Sequence, residues 1–203
     1  MTALRICKTL LMVVVAILAA GLAHAEPLGP VVVVPIVGVF YYDNVPQGEV
    51  LPAIFIQVER HQSQEPLRVI LNHRPGMVDS TYQDRLEAAL QNGLKMLNYN
   101  AQGLTVHIGF SGMFRFSGES LSGAIVIGTV AALEDRILAP NLVLTGTVEP
   151  DGSLGPIADL DVKIAGSGSY TVLYPSSQIA LVSHHHGSQP VRTLQEARLL
   201  MLP

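Results

Sequence analysis

Residues 118–133 read GESLSGAIVIGTVAAL, and the fold of the surrounding chain depends on this stretch. From Ser120 to Leu133 it is nearly all apolar, which predicts a helix buried on every side. A Gly/Ser/Phe-rich loop, residues 109–119, comes directly before it, so Ser120 lies where a loop meets the helix. The first backbone N–H groups of a helix have no partner inside the helix. The sequence therefore predicts a core helix that begins with unpaired N–H groups around Ser120.

Strand patterns occur on both sides of this core helix. Strands are predicted at residues 31–40, 51–58, 67–71, 104–108, 141–145, 170–173 and 179–183, where short apolar runs lie between turn signals. Turns are predicted at residues 43–48 and 60–66. A hairpin is predicted over residues 147–154, because Glu-Pro-Asp-Gly at 149–152 is a strong turn sequence.

Three further helices are predicted. Residues 79–97 carry an apolar stripe at helical spacing, with Asp79 or Ser80 as the cap. A short helix is predicted at 158–165, and a last one starts at Thr193, where Glu196 has capping-box spacing. The alternation of strands and helices indicates one α/β (α+β) domain with mixed sheets and about four helices.

The N-terminus resembles a secretory signal. Arg5 and Lys8 precede an uncharged run at residues 10–22, and Ala23-His24-Ala25 fits the small-x-small cleavage rule. We expect residues 1–25 to be the signal peptide and residues 26–203 to be the exported domain, in the periplasm or outside the cell. An uncleaved N-terminal membrane anchor, with the domain outside the cytoplasm, is the alternative, although the run is short for a span of about 20 residues.

Charge and composition exclude several classes of function. Loss of Arg5 and Lys8 with the signal would take the formal net charge from −4 to −6, and an acidic chain without a basic cluster is unsuited to nucleic acid. No phosphate-binding or dinucleotide-binding glycine motif occurs, so we expect no nucleotide partner and no cofactor. The only cysteine, Cys7, lies in the predicted signal. The exported domain must therefore be stabilised by its packed core rather than by a disulfide.

Ser120 and Lys163 are candidates for chemistry. A serine needs a base to become a nucleophile, although serine at a helix start is more commonly an N-cap. Residues 26–203 contain two lysines, and Lys95 falls on the polar side of the helix at 79–97. Lys163 lies among apolar residues, where loss of hydration lowers the pKa of an amine and lets it act as a base. A surface lysine with only its stem buried is the alternative.

The segment from Gly118 to Ala165 resembles the core of the proteolytic domain of Lon-type serine peptidases. Gly-Glu-Ser-Leu-Ser at 118–122 is similar to the family's G-[PD]-S-A-[GS] nucleophile motif, and Thr145-Gly146 matches its Thr-Gly pair. Residues 152–159 match part of its G-x-[VL]-x-P-[IV]-G-G segment. Lys163 follows Ser120 by 43 positions, which is the family's own spacing.

The resemblance implies roles for five residues. Ser120 would be the nucleophile and Lys163 its general base, with Thr145 helping to hold the amine. Backbone N–H groups of Glu119 and Ser120 would form the oxyanion hole. His107 matches a strand histidine of the family if the following loop is one residue longer here. It would then support catalysis, whereas a strand histidine with a purely structural role is the simpler interpretation.

The implied fold is a Lon proteolytic domain with the architecture of ribosomal-protein-S5 domain 2. The implied activity is an ATP-independent serine endopeptidase that acts on flexible polypeptide segments in the cell envelope. Members of the family commonly form rings, so the resemblance is compatible with a homo-oligomer. A catalytically weak or inactive Lon-like module for peptide binding or assembly is the main alternative. A small structural protein of the envelope is a third.

The chain departs from the family pattern at two positions, and it also contains a run of three histidines. Leu121 replaces a small alanine beside the serine, which would narrow the site. Asp159 replaces a glycine four residues before Lys163. On a helix its carboxylate would lie on the same face and favour the charged lysine, whereas before the helix proper it would point away. Residues 184–186 are three adjacent histidines, which cannot all face one ion in an extended loop, so we expect a solvated loop rather than a metal site.

Overall fold

The computed structural model describes residues 28–62, 64–73, 81–111, 118–182 and 187–203, and these form a mixed α/β structure with three sheets. The strands are β1 (Val32–Tyr42), β2 (Val45–Arg60), β3 (Arg68–Asn72), β4 (Leu104–Phe110), β5 (Leu142–Leu144), β6 (Thr147–Val148), β7 (Leu154–Gly155), β8 (Thr171–Pro175) and β9 (Ser188–Val191). The α-helices of the described residues are α1 (Tyr82–Met96), α2 (Ser122–Glu134), α3 (Leu160–Ala165) and α4 (Leu194–Met201). Two 3-10 helices span Glu119–Leu121 and Ser176–Leu181.

The largest sheet has the strand order β1-β2-β4-β3. β1 and β2 form an antiparallel hairpin that closes at Asp43 and Asn44, whose φ angles of 51° and 65° suit a two-residue hairpin turn. The turn predicted over residues 43–48 is therefore shorter than expected, and both strands continue into it. β3 and β4 are parallel, and α1 is the crossover between them.

α2 is the centre of the core. All of its residues from Ser122 to Ala132 are buried, which confirms the predicted helix with no solvent-facing side. It packs on β1 and β2 and is flanked by α1 and α4. The main hydrophobic cluster consequently combines this helix with the inner face of the large sheet, including Ile54 and Ile56, which are fully buried.

A second, smaller hydrophobic cluster lies beside the main one. The sheet β5-β8-β9 is parallel, and its residues Val143 and Val172 pack with Leu160 and Ile164 of α3 and with Val37 of β1. The short hairpin β6-β7 closes through Gly152 N–H donating to Glu149 O at 2.9 Å, as the turn sequence predicted. α3 is thus held between the edge of the large sheet and the second sheet.

In the C-terminal part, one predicted strand is wrong and one observed strand was not predicted. Residues 179–183 were predicted as a strand, but Ser176–Leu181 form a 3-10 helix in which Ile179 and Leu181 are exposed. The physical reason is the buried Gln178, whose side chain bonds to a distant backbone segment. The strand β9 had no predicted counterpart, because it depends on pairing with β8 rather than on a pattern of its own.

The cap of the last helix agrees with its prediction. Glu196 N–H donates to Thr193 Oγ1 at 3.2 Å, while the Glu196 carboxylate accepts from Arg192 N–H at 2.7 Å. The predicted signal, the cap at Asp79 or Ser80, the phenylalanines of residues 112–117 and the histidines at 184–186 lie outside the described residues. Within the described part of the chain, no helix is long and apolar enough to cross a membrane.

Candidate active site

Ser120 lies in the 3-10 helix that leads into α2, and its backbone is fixed by the neighbouring chain. Gly146 N–H donates to Ser120 O at 2.8 Å, and Thr145 Oγ1 donates to the same oxygen at 3.4 Å. Neither the 3-10 helix nor α2 has a side-chain cap at its start. The interpretation of Ser120 as an N-cap therefore does not hold, and its hydroxyl is left for another partner.

That partner is Lys163. Its Nζ donates to Ser120 Oγ at 3.1 Å and to Thr145 Oγ1 at 3.5 Å. Lys163 is only 6% exposed, so the surface-lysine alternative is excluded. Burial lowers the pKa of Lys163 from 10.5 to about 8, although the Asp159 carboxylate opposes that change. The structure thus brings together Ser120, Thr145 and Lys163, three residues that are far apart in sequence.

Asp159 lies just before α3 rather than within it. Its φ of 54° and ψ of 37° are left-handed, a conformation that glycine adopts most easily and that Asp tolerates better than most residues. Its backbone carbonyl accepts from Lys163 N–H at 3.0 Å, and its side chain is exposed. The carboxylate favours the charged lysine, as the sequence predicted, but desolvation of the amine has the larger effect on its pKa.

α3 reaches the serine because two glycines allow a close approach. A Cβ on Gly48 of β2 would overlap the carbonyl oxygen of Val162, and a Cβ on Gly166 would overlap the Gly48 carbonyl. This contact places the lysine-bearing helix directly against β2. Neither glycine had been singled out in the sequence, because a close approach between two segments has no local signal.

Two further side chains position the site and were not predicted. Arg85 of α1 pairs with Glu119 at 2.9 Å, which ties the residue before Ser120 to the neighbouring helix. Gln178 bonds to both backbone groups of Ile157: its Oε1 accepts at 2.9 Å and its Nε2 donates at 2.8 Å. Gln178 thereby holds the segment that leads to Asp159 and α3.

His107 does not join this group. It lies on β4, and its Nε2 is 3.4 Å from Glu59 Oε2. His61 lies 3.8 Å from the same Glu59 oxygen and bonds to Thr105 Oγ1 at 3.0 Å. No hydrogen bond joins His107 to Ser120, Thr145 or Lys163, so its contacts in the structure are those of a strand histidine beside a carboxylate.

The Ser120–Lys163 pair opens into a cleft of about 480 Å³. The cleft is lined by the edge strand β1 from Ile36 to Tyr41 and by Pro156, Ile157 and Asp159 of the segment before α3. Leu121 also lines the cleft, as the sequence suggested for the residue after the serine. Ser120 itself lines the cleft, so the candidate nucleophile can be reached from it.

Across the described ranges, no group of three or more His, Cys, Asp or Glu side chains is arranged to bind a metal ion.

The comparisons with known proteins add no assignment: no family model matches the chain, and no curated protein matches it.

Proposed function

We propose that this protein is a serine endopeptidase in which Ser120 is the nucleophile and Lys163 the general base. The observation that carries the proposal is the 3.1 Å distance between Lys163 Nζ and Ser120 Oγ. This is the hydrogen-bond reach that an activated nucleophile requires. A buried lysine with a pKa of about 8 is partly neutral near neutral pH and then accepts the serine proton.

The reaction follows from these positions. The neutral amine of Lys163 takes the hydroxyl proton while Ser120 Oγ attacks a peptide carbonyl. The carbonyl oxygen becomes an oxyanion, which the backbone N–H groups of Glu119 and Ser120 would stabilise at the start of the 3-10 helix. The Lys163 ammonium then gives its proton to the leaving amine as the C–N bond breaks. Water, deprotonated by Lys163, attacks the acyl carbon, and Ser120 Oγ regains the proton.

A polypeptide substrate fits the edge of β1. The two-residue turn makes Tyr42 and Val45 a hydrogen-bonded pair, so bonds to β2 recur at Phe40 and Gly38. The N–H and C=O groups of Val39 and Tyr41 then face away from β2, and among the described residues they have no backbone partner. Both residues line the cleft. An extended segment can add to this edge as a further strand and bring its carbonyl to Ser120.

The motif resemblance extends the proposal to the family and the fold. The Ser120, Thr145 and Lys163 set, in the family's order and spacing, supports a Lon-type proteolytic domain with the architecture of ribosomal-protein-S5 domain 2. The signal-like N-terminus supports export to the periplasm or the cell exterior. The 203 residues contain no phosphate-binding glycine motif, so we propose flexible segments, peptides and damaged proteins as substrates, with no stimulation by ATP.

Three alanine variants test the proposal. Ser120→Ala and Lys163→Ala should abolish cleavage of an unfolded protein substrate, measured by fragment formation at pH 8, without loss of the folded state. Lys95→Ala is the matched control, because Lys95 is exposed on α1 and should be dispensable. Undiminished cleavage by Ser120→Ala would exclude this mechanism.

A fluorophosphonate probe separates the enzyme from the non-catalytic alternative. The wild-type protein should be labelled at Ser120, and Lys163→Ala should not. Absence of labelling at every pH up to about 10, near the ordinary lysine pKa, would favour a peptide-binding or assembly module instead.

A further inference from the structure

We propose that Asp159 makes the cleft selective for polypeptide segments that carry a Lys or Arg side chain close to the scissile bond. This inference rests on the proposed endopeptidase function and adds the chemical class of substrate. Asp159 favours the charged form of Lys163 and so weakens the proposed base. Its carboxylate acts instead in substrate binding.

Among the residues that the structure describes, the charged side chains that line the cleft are Glu119, Asp159 and Lys163. Lys163 is buried and its Nζ is engaged with Ser120 and Thr145. Glu119 is neutralised by Arg85 at 2.9 Å. Asp159 is exposed, and its carboxylate makes no hydrogen bond or ion pair with the described residues. The unpaired charge that an entering segment meets is therefore negative.

The surroundings of Asp159 suit a long cationic side chain. Pro156 and Ile157 precede it in the chain and line the same cleft, and so do Val39 and Tyr41 of β1. Tyr41 is 68% exposed, so its ring is available for contact. Lys and Arg pack their methylene stems along apolar surfaces of this kind while the charged end stays near water. The apolar side chains of the cleft are thus complementary to the methylene stem of a basic side chain, and the Asp159 carboxylate is complementary to its charged end.

The conformation of Asp159 supports a role for its carboxylate. Glycine would adopt φ 54° with less strain and would leave Lys163 more basic. Asp159 therefore carries a cost both to backbone conformation and to the general base. Attraction of a substrate cation offsets these costs, and no other contact of the side chain does so within the described residues.

Six sets of three peptides, one set for each position around the scissile bond, test the inference. Internally quenched peptides with Lys, Gln or Glu, placed in turn at each of the three positions on either side of one cleavable bond, are compared by kcat/KM. At the position that meets Asp159, wild type should prefer Lys over Glu by about 5- to 20-fold, the sum of one exposed attraction and one repulsion. Asp159→Asn should bring the ratio close to one, and Asp159→Lys should invert it.

Asp161→Asn is the matched control, because Asp161 is an exposed acid of α3 that does not line the cleft. It should keep the wild-type ratio. A change in Lys163 basicity acts on all three peptides equally, so the ratio isolates binding of the side chain. Equal rates for the three peptides in wild type, or an unchanged Lys preference in Asp159→Asn, would overturn the inference while the endopeptidase assignment stands.

Binding to Ser120→Ala separates this inference from the proposed function. The same peptides are titrated into this variant and into Ser120→Ala/Asp159→Asn, with anisotropy as the readout. Tighter binding of the Lys peptide, lost with Asp159→Asn and weakened by salt, supports the inference even if wild type cleaves nothing, which would overturn the proposed function alone. Equal binding of the three peptides would overturn the inference.

Discussion

The amine of Lys163 is almost fully buried, and this determines how activity should depend on pH. Burial lowers its pKa to about 8, and in the proposed mechanism the neutral amine is the form that accepts the serine proton. We therefore expect kcat/KM to rise with pH and to reach half of its plateau near pH 8. Initial rates with one fluorogenic peptide between pH 6 and 10 measure this. A rate that is flat over that range would contradict a lysine base.

Asp159→Asn should move this pH profile. The carboxylate of Asp159 is the charge that raises the Lys163 pKa against the effect of burial, so its removal should shift the half-maximal pH below that of wild type. Asn also tolerates left-handed φ, so the backbone before α3 should keep its conformation. The pH profile of an uncharged peptide measures the shift. A profile that does not move would show that Asp159 and Lys163 are uncoupled.

Lys163 should also reduce the stability of the fold. Between pH 8 and 10.5 the unfolded state binds more protons than the folded state, so stability rises with pH over that window. Below pH 8 the folded state carries the whole penalty, about 3 kcal/mol on this pKa difference. Lys163→Met should therefore stabilise the protein by about 1–3 kcal/mol at pH 7 while abolishing activity.

Urea unfolding at pH 7 and at pH 10 tests this expectation for Lys163→Met. The gain in stability should be largest at pH 7 and should shrink toward pH 10. Lys95→Met is the control, since an exposed lysine gives no such pH-dependent gain. A Lys163→Met variant less stable than wild type at both pH values would show that the hydrogen bonds of the amine outweigh its desolvation.

At the scale of elements, the 3-10 helix with Ser120 is attached to α1 through Arg85 and Glu119. Arg85 does not line the cleft, so it acts by positioning the serine rather than by contacting substrate. Arg85→Ala should lower kcat by about 3- to 10-fold with little change in KM, since small misplacements of reacting groups are costly. Steady-state kinetics measures the split between the two constants.

The stability of Arg85→Ala should change by less than about 1 kcal/mol, because the ion pair is exposed. Arg85→Lys keeps the charge and should recover part of kcat. A rise in KM with unchanged kcat would instead place Arg85 in substrate binding.

At the scale of the whole molecule, Glu134 at the end of α2 connects three segments. Its carboxylate accepts from Tyr99 Oη, from Arg198 Nη2 of α4 at 2.6 Å and from Arg136 Nη1 at 3.3 Å. Burial opposes ionisation, but these donors outweigh it and lower the Glu134 pKa below 4.5. The stability that Glu134 supplies is therefore present above pH 4.5 and is lost as pH falls through the lowered pKa.

Glu134→Gln should lower Tm at pH 7 by about 3–8 °C, the effect of losing one to two kcal/mol from a domain of this size. The difference from wild type should shrink below pH 4.5. Glu87→Gln is the matched control, because Glu87 makes no side-chain hydrogen bond or ion pair with the described residues. Thermal unfolding at pH 7 and pH 4 measures both variants. An equal Tm for Glu134→Gln and wild type at pH 7 would show that the network does not stabilise the fold.

Features that depend on neighbouring residues could be predicted from the sequence, whereas features that depend on distant segments could not. The core helix α2, the hairpin around residues 149–152 and the cap at Thr193 depend on neighbouring residues, and each is present as expected. The segment after β8 was wrongly predicted because Gln178 bonds to Ile157, which is distant in sequence. β9 was missed for the same kind of reason, since its partner is β8.

The alternating α/β pattern and the buried helix after Ser120 could be predicted because hydrophobic periods are local properties. Ser120 and Lys163 became candidates because motifs and their spacing are read directly from the order of residues in the chain. Only the tertiary structure decided that Lys163 Nζ lies 3.1 Å from Ser120 Oγ, that burial outweighs Asp159 in its pKa, and that His107 stays with Glu59. The distance and the pKa depend on how closely α3 approaches β2 at Gly48 and Gly166, and the position of His107 depends on the pairing of β4 with β2. Desolvation and hydrogen-bond distance arise from such packing between distant segments, and no single stretch of the chain encodes them.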